Sequence, residues 1–265
     1  MWREKRLMAI EMFSMEGWFV FLVILARMGA IISSLPIFTS AQGAVRLRVG
    51  LSVTISMLLF PVLDISLTEQ QMAPVPFGLL IAKETLLGLL IGLVSQLIFF
   101  AVQFGATIVG YQMGFAAANI LDPQHQQQVP LLSQFQNVFA ILLFLALDIH
   151  HLILRVMVRS YEILAPGGID LSGEAIPYVM EMAGEMFVLG IQLVAPIMIT
   201  LMLSMFVLGI LSRVFSQLQV FMLSFPINIS LALIIIGLSM ERLVTLLEQE
   251  FEFLQERILH LLHLV

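Results

Sequence analysis

Residues 77–109, with the sequence FGLLIAKETLLGLLIGLVSQLIFFAVQFGATIV, decide the fold class of this chain. The stretch is apolar almost throughout, and Lys83 and Glu84 are its only charged residues. A helix needs roughly 20 apolar residues to cross about 30 Å of hydrocarbon, and this stretch is longer than that. It therefore predicts a helix at membrane depth.

The rest of the chain has the same character. Hydrophobic residues make up 60% of its 265 residues and charged residues 11%, whereas soluble domains carry about 25% charged residues. Its mean hydropathy is +1.04. Five further apolar runs approach or exceed membrane length: residues 18–38, 49–67, 129–147, 186–212 and 218–238. We predict a single all-α integral membrane domain, residues 1–265, with about six long apolar helices.

Charge and composition exclude several function classes. The formal net charge of -6 argues against a nucleic-acid partner, because nucleic-acid binders present a basic face. The chain has no cysteine, which excludes a disulfide, a thiolate metal site and a cysteine nucleophile. The sequence also contains no zinc-protease, phosphate-loop or nucleophile-elbow motif. We predict no enzyme activity and no cofactor.

Two pairs of histidines are weak candidates for metal ligands. His150 and His151 are adjacent, and on a helix they point about 100° apart, which is a poor arrangement for a shared ion. His260 and His263 share a helix face, but no carboxylate or thiol at ligand spacing completes a site. We expect His150 and His151 to be polar residues at the membrane interface, and His260 and His263 to lie at a helix end. We predict no metal site.

Five charged residues lie inside or at the end of apolar runs: Arg27, Asp64, Lys83, Glu84 and Asp148. A charge at the bilayer centre costs at least about 2.5 kcal/mol, so it normally faces a partner or a wet cavity. We expect these side chains to be paired. The sequence leaves three alternatives open. The side chains snorkel or pair within the chain, they pair across subunits or line a conduit, or they form a proton relay.

Small residues recur at helical spacing in two places. Gly88 and Gly92 form a GxxxG pair, which allows two helix backbones to approach closely. A second stripe repeats every four residues: Ala106, Gly110, Gly114 and Ala118. Both stripes predict helix packing, either within the chain or between subunits.

Prolines and one polar stretch divide the apolar runs. Each proline in or near a run removes a backbone hydrogen bond, so we expect it to kink or break the helix. These prolines are Pro36, Pro61, Pro196 and Pro226. Residues 166–185 carry four acidic residues and no basic one, and we predict a polar linker there. A weaker apolar run at 149–165 is expected to form a hairpin with the run before it.

The C-terminal segment, residues 241–265, has the periodicity of an amphipathic helix. Apolar residues recur every three or four positions: Leu243, Leu247, Phe251, Leu254, Ile258, Leu261 and Val265. The polar face is mainly acidic, which does not favour binding to an anionic lipid surface. The apolar face either packs on the body of the protein or docks a partner through Leu247, Phe251, Leu254 and Ile258.

Four blocks of sequence together resemble one protein family. The central block, residues 110–168, reads GYQMGFAAANILDPQHQQQVPLLSQFQNVFAILLFLALDIHHLILRVMVRSYEILAPGG. RMGAIISSLPIFTSAQGAVRLRVGLSV precedes it at residues 27–53, as does AKETLLGLLIGL at residues 82–93. LGILSRVFSQLQVFMLSFPINI follows at residues 208–229. In their order and spacing these blocks resemble the FliR family of flagellar biosynthesis subunits in type III secretion export gates, and the resemblance covers nearly the whole chain.

This resemblance implies a function by assembly rather than by catalysis. Members of the family join FliP and FliQ subunits in a helical hetero-oligomeric gate of the flagellar basal body, in the bacterial inner membrane. The gate passes unfolded flagellar export substrates, and FlhB is the next component expected at the C-terminal helix. Membrane lipid is the remaining contact. A stand-alone secondary transporter of a small solute is the alternative that the sequence leaves open.

The resemblance also assigns a role to residues 110–128. In the family, the segment matching 110–123 is an inward loop that plugs the closed pore. The apolar side chains implied as the plug are Met113, Phe115, Ile120 and Leu121, and Gly110 and Gly114 keep the segment thin.

Overall fold

The computed structural model of the chain describes residues 14–36, 44–114, 131–170, 173–214 and 220–265. Within these ranges the chain forms seven helices and no strand, which confirms the predicted all-α class. The helices are α1 (Met15–Ser34), α2 (Ala44–Leu59), α3 (Pro74–Gln112), α4 (Leu131–Ala146), α5 (Ile149–Ile163), α6 (Ala175–Val214) and α7 (Val220–Leu264).

Four of the described helices, α1, α3, α6 and α7, are long and apolar enough to cross a membrane. Helices α4 and α5 meet at a bend of 68° and together make at most a fifth span. The predicted number of about six is therefore approximate. The difference arises at residues 49–67, where α2 has only 16 residues and ends at Leu59, two residues before Pro61.

The four prolines do not act alike. Pro36 and Pro61 lie just beyond the ends of α1 and α2, where a proline cannot interfere with the preceding turns. Pro196 and Pro226 lie inside α6 and α7, which continue on both sides. A proline costs about 3 kcal/mol in a helix interior, but the other backbone hydrogen bonds of these helices of 40 and 45 residues remain.

Two predicted boundaries were wrong. The polar linker expected at residues 166–185 ends where α6 begins, at Ala175. Pro177 does not prevent this early start, because it lies in the first helical turn, where a proline is tolerated. The backbone N–H of Tyr178 already donates to the carbonyl of Glu174. Residues 241–265 are not a separate helix, since their helical turns continue α7 without a break.

The chain divides into two compact units. The first comprises the described residues of Met1–Gln96, Asp148–Glu181 and Phe253–Val265. Its core contains aliphatic side chains of α1 and α3 that are 1% exposed or less: Ile24, Ile31, Leu87 and Ile91. The C-terminus is tied into this unit, because the backbone N–H of Asp170 donates to the carbonyl of Val265.

The second unit comprises the described residues of Leu97–Leu147 and Met182–Glu252. Its centre is a cluster of Phe99, Phe144 and Phe251, whose ring centroids lie 5.5 to 5.8 Å apart. These separations are typical of stabilising aromatic pairs. Here α3 and α6 approach closely, and a Cβ added to Gly190 would lie 2.8 Å from the carbonyl oxygen of Ala101.

Candidate functional site

Two charged residues of the apolar runs, Arg27 and Glu84, meet in the first unit, where Arg27 is fully buried. Its Nε lies 2.6 Å from Oε2 of Glu84, whose side chain is 2% exposed. Its Nη1 donates to Oγ of Ser160 at 3.1 Å, and its Nη2 donates to the carbonyl of Leu164 at 3.2 Å. The guanidinium also lies over the ring of Tyr161, 3.9 Å from the centroid. We call these groups the Arg27 cluster.

Glu84 extends the cluster to the turn after α5. Its Oε1 accepts a hydrogen bond from the backbone N–H of Gly167 at 2.9 Å. Gly167 has a φ of 81°, a conformation that glycine adopts without the steric cost of a Cβ. A Cβ at this position would also lie 2.8 Å from Cδ1 of Leu80. The carboxylate therefore holds a turn whose backbone geometry favours glycine.

For Arg27 and Glu84 the structure favours pairing within the chain. The two side chains form a salt bridge, and both are buried. The arrangement joins α1, α3, α5 and the following turn.

Lys83 and Asp148 do not belong to that salt bridge. Nζ of Lys83, which is partly exposed, donates to the carbonyl of Gly167 at 3.1 Å. Asp148 was predicted as a buried charge, and this was wrong because its side chain is 72% exposed. It lies between α4 and α5 at the bend rather than inside a straight apolar helix, so no desolvation forces it to find a buried partner.

The GxxxG pair packs within the chain. A Cβ added to Gly88 would lie 2.5 Å from the carbonyl oxygen of Arg27, and one added to Gly92 would lie 2.2 Å from Cβ of Ser34. Helices α1 and α3 are therefore in backbone contact along this face. Ala106, from the second stripe, is fully buried. Ala118 lies outside the described residues.

The described start of the segment expected to plug a pore is packed rather than free. Gly110 is a buried residue of α3 and Met113 is 2% exposed. The helix ends at Gln112, and Gly114 follows with a φ of 92°. A Cβ on Gly114 would lie 2.5 Å from the ring of Phe225. Phe115, Ile120 and Leu121 lie outside the described residues.

The apolar face of residues 241–265 packs on the protein itself. Leu247, Phe251, Leu254 and Ile258 are each 1% exposed or less. The amphipathic periodicity is confirmed, but the expectation that these four residues dock a partner was wrong. Periodicity identifies an apolar face without saying what covers it, and here the covering residues include Phe99 and Phe144.

Two partners of Arg27 were missed by the sequence reasoning. Ser160 and Tyr161 lie on the buried face of α5 with Ile149, Ile153 and Val156. A polar side chain on an otherwise apolar helical face is the signal that would have identified Ser160. The predicted linker contained Gly167, but no pattern in the sequence indicated that its turn would meet Glu84.

The bend between α4 and α5 brings together three side chains that were not predicted to meet. Nδ1 of His151 lies 3.3 Å from Oδ1 of Asp148, and Nε2 of His150 lies 3.9 Å from the same oxygen. The two imidazole centroids are 4.1 Å apart. Adjacency on a helix suggested divergent rings, but the rings are tilted by only 37° from one another.

Helices α6 and α7 expose much more apolar surface than α1 and α3 do. In their most apolar windows 28% of α6 and 17% of α7 is buried, against 50% of α1 and 61% of α3. Phe206 of α6 is 66% exposed and Leu238 of α7 is 77% exposed. Apolar surface of this extent is typical of contact with lipid or another protein.

Comparison with known proteins gives one consistent family. The family described as bacterial export proteins, family 1, matches residues 18–254. The flagellar biosynthetic protein FliR of Bacillus subtilis (strain 168) is 29% identical over 252 residues, which cover 92% of this chain and 95% of the relative. FliR of Pectobacterium carotovorum subsp. carotovorum is 31% identical over 80% of each chain. FliR of Escherichia coli (strain K12) is 28% identical over 86% of each chain.

Proposed function

This chain belongs to the FliR family of bacterial export proteins, and from that membership we propose that it is a subunit of the flagellar type III export gate in the bacterial inner membrane. The observation that carries the proposal is the extent of the match, which runs over residues 18–254. The relatives are matched over most of their own length, so the whole subunit is the unit of comparison. The protein acts without a catalytic step, by helping to form the passage for unfolded flagellar subunits.

Assembly with FliP and FliQ gives the exposed apolar helices a role. Exposed side chains such as Ile199, Phe206 and Leu238 are unfavourable in water. Neighbouring FliP and FliQ helices cover part of this surface in the proposed gate, and lipid covers the rest. Because the apolar face of the C-terminal turns is buried, a contact with FlhB at this end uses exposed residues such as Phe253 and Glu256.

Native mass spectrometry tests this assembly. The full chain is purified in detergent, expressed alone and then together with FliP and FliQ. We expect one mixed complex that contains all three subunits. A monomer or symmetric homo-oligomer that ignores both partners contradicts the proposal, and thermal stabilisation of that species by a small solute favours a secondary transporter instead.

We also propose that residues 110–128 close the passage, as the resemblance implies. Support comes from the described flank, where α3 stops and Gly114 adopts a positive φ, which turns the chain out of the helical path. Since Gly110 and Met113 are packed, apolar side chains beyond Gly114 supply the plug itself.

Ion leak through vesicles that contain the assembled gate tests the plug. Replacing Phe115, Ile120 and Leu121 together by alanine removes apolar bulk, so we expect a larger leak. The matched control replaces Gln126, Gln127 and Gln128 by alanine in the same segment, and its leak should equal that of the unmodified gate. An unchanged leak in the apolar variant rejects the plug.

A further inference from the structure

Asp148 has an unusual backbone at the bend between α4 and α5. Its φ of 56° and ψ of 25° are left-handed, and among the described residues it is the only one besides glycine with a positive φ. It precedes the first residue of α5, where an aspartate side chain normally accepts a hydrogen bond from the backbone of the first helical turn. The Asp148 carboxylate makes no such bond. Its described partners are the two imidazoles.

Three side chains with metal-ligand atoms lie together at this bend. One ligand atom from each of Asp148, His150 and His151 lies within 4.8 Å of the others. Oδ1 of Asp148 is 3.3 Å from Nδ1 of His151 and 3.9 Å from Nε2 of His150. Ligand atoms around a tetrahedral zinc ion lie roughly 3.3 Å apart, given metal bonds of about 2.0 Å. One pair already has this separation, and the other two pairs, which are at most 4.8 Å apart, must shorten by side-chain rotation.

The geometry points to a divalent metal site formed by Asp148, His150 and His151. Zn²⁺ is the ion with which we propose to test it. Two imidazoles and one carboxylate suit zinc and similar borderline ions, whereas Mg²⁺ and Ca²⁺ prefer all-oxygen sites. Three protein ligands leave at least one coordination position for water. The inference does not depend on the export role.

The surroundings allow an ion to reach the site. The side chains of Asp148 and His151 are 72% and 57% exposed, and that of His150 is 35% exposed. Nδ1 of His150 is buried and has no hydrogen-bond partner among the described residues. Because no described group fixes the proton on that nitrogen, the tautomer of His150 follows what Nε2 binds.

Isothermal titration of Zn²⁺ into the full chain, purified in detergent without a histidine tag, tests the site. Asp148→Gly is the decisive variant, because glycine favours the left-handed backbone and the fold is kept while the carboxylate is lost. We expect Asp148→Gly and His151→Ala each to weaken binding by about tenfold or more. The matched control is His263→Ala, which removes an exposed histidine elsewhere in the chain and should leave the affinity unchanged.

Cobalt gives a second readout. Co²⁺ bound to nitrogen and oxygen ligands should give a visible absorption band in the unmodified chain and in His263→Ala, but not in Asp148→Gly. No Zn²⁺ binding by the unmodified chain overturns the proposal. Binding that Asp148→Gly leaves unchanged overturns it as well.

Discussion

Arg27 shows how a single residue can require compensation from several distant parts of the chain. Its guanidinium is buried with a carboxylate, a hydroxyl, a carbonyl and an aromatic ring around it. A buried ion pair adds little stability over a well-packed apolar pair, but a buried charge that has lost its partner is very costly. The role of Arg27 is therefore to fix which surfaces of α1, α3 and α5 meet.

Removing either charge of the Arg27 cluster should destabilise the protein severely. Arg27→Ala or Glu84→Ala leaves the other charge buried and unpaired, so the free energy of unfolding should fall by about 3 to 5 kcal/mol. Unfolding by SDS in mixed micelles measures this change. Arg159→Ala is the matched control, because Arg159 is exposed on α5 next to Ser160, and its effect should be small.

Replacing both charges together should cost less than the two single changes suggest. In the double variant Arg27→Met with Glu84→Met, no uncompensated charge remains. Two apolar side chains of similar length fill the space that the ion pair occupied. Full recovery is not expected, since the Gly167 N–H and the Leu164 carbonyl lose their partners. A double variant whose loss equals the sum of the single losses would show that the two charges are not coupled.

At the scale of the elements, the approach of α1 to α3 depends on glycine at two positions of one helix face. The carbonyl of Arg27 and the side chain of Ser34 occupy the space that side chains at Gly88 and Gly92 would need. Gly78 lies on the same helix α3, but nothing lies within 4 Å of a Cβ added there. Substitution by alanine should therefore change the stability of the protein differently at the two kinds of glycine.

Gly88→Ala should destabilise the protein, whereas Gly78→Ala should not. The added methyl group at position 88 meets backbone that cannot rotate away, and overpacking of this kind costs about 1 to 3 kcal/mol. At position 78 alanine lowers the entropy of the unfolded chain and should be neutral or stabilising by up to about 1 kcal/mol. Thermal unfolding in detergent measures both. Equal effects at the two positions would contradict the close approach of α1 and α3.

Polar side chains join α6 to α7. Oγ of Ser204 donates to Oδ1 of Asn228 at 2.8 Å, and Asn228 is 4% exposed. Asn228→Ala should lower the free energy of unfolding by roughly 0.6 to 2 kcal/mol, the range measured for hydrogen bonds between membrane helices. The control is Ser230→Ala at an exposed position of α7. A loss no larger than that of the control would show that the bond contributes nothing.

At the scale of the whole molecule, apolar residues serve two purposes that composition does not separate. At least half of the most apolar window of α1 and of α3 is buried, whereas most of that window in α6 and in α7 is exposed. An outward apolar face needs lipid or another subunit. In the export gate proposed above, α6 and α7 are the helices that take part in assembly.

A photoreactive amino acid at position 206 tests which neighbour covers α6. In cells that also make FliP and FliQ, we expect crosslinks from position 206 to one of these subunits, because Phe206 is 66% exposed in the isolated chain. Position 174, an exposed acidic residue before α6, serves as the control and should give weaker crosslinks. Crosslinks to lipid alone at position 206 would assign α6 to the bilayer.

Several features are local and could be predicted from the sequence. The all-helical class follows from apolar runs too long for a soluble domain, and the apolar face of residues 241–265 follows from spacings of three and four. The presence of Arg27 and Glu84 in such runs correctly indicated that partners exist. Each inference depends on residues within a few turns of one another.

Composition and run length establish a helical membrane protein whose buried charges require compensation. The pairing of Arg27 with Glu84, 57 positions away, and with Ser160, 133 positions away, is visible only in the folded chain. The folded chain also shows that the C-terminal apolar face is covered by the chain itself and that Asp148 lies at an exposed bend. The physical reason is that periodicity and propensity act over a few turns, whereas burial depends on which distant surfaces pack together.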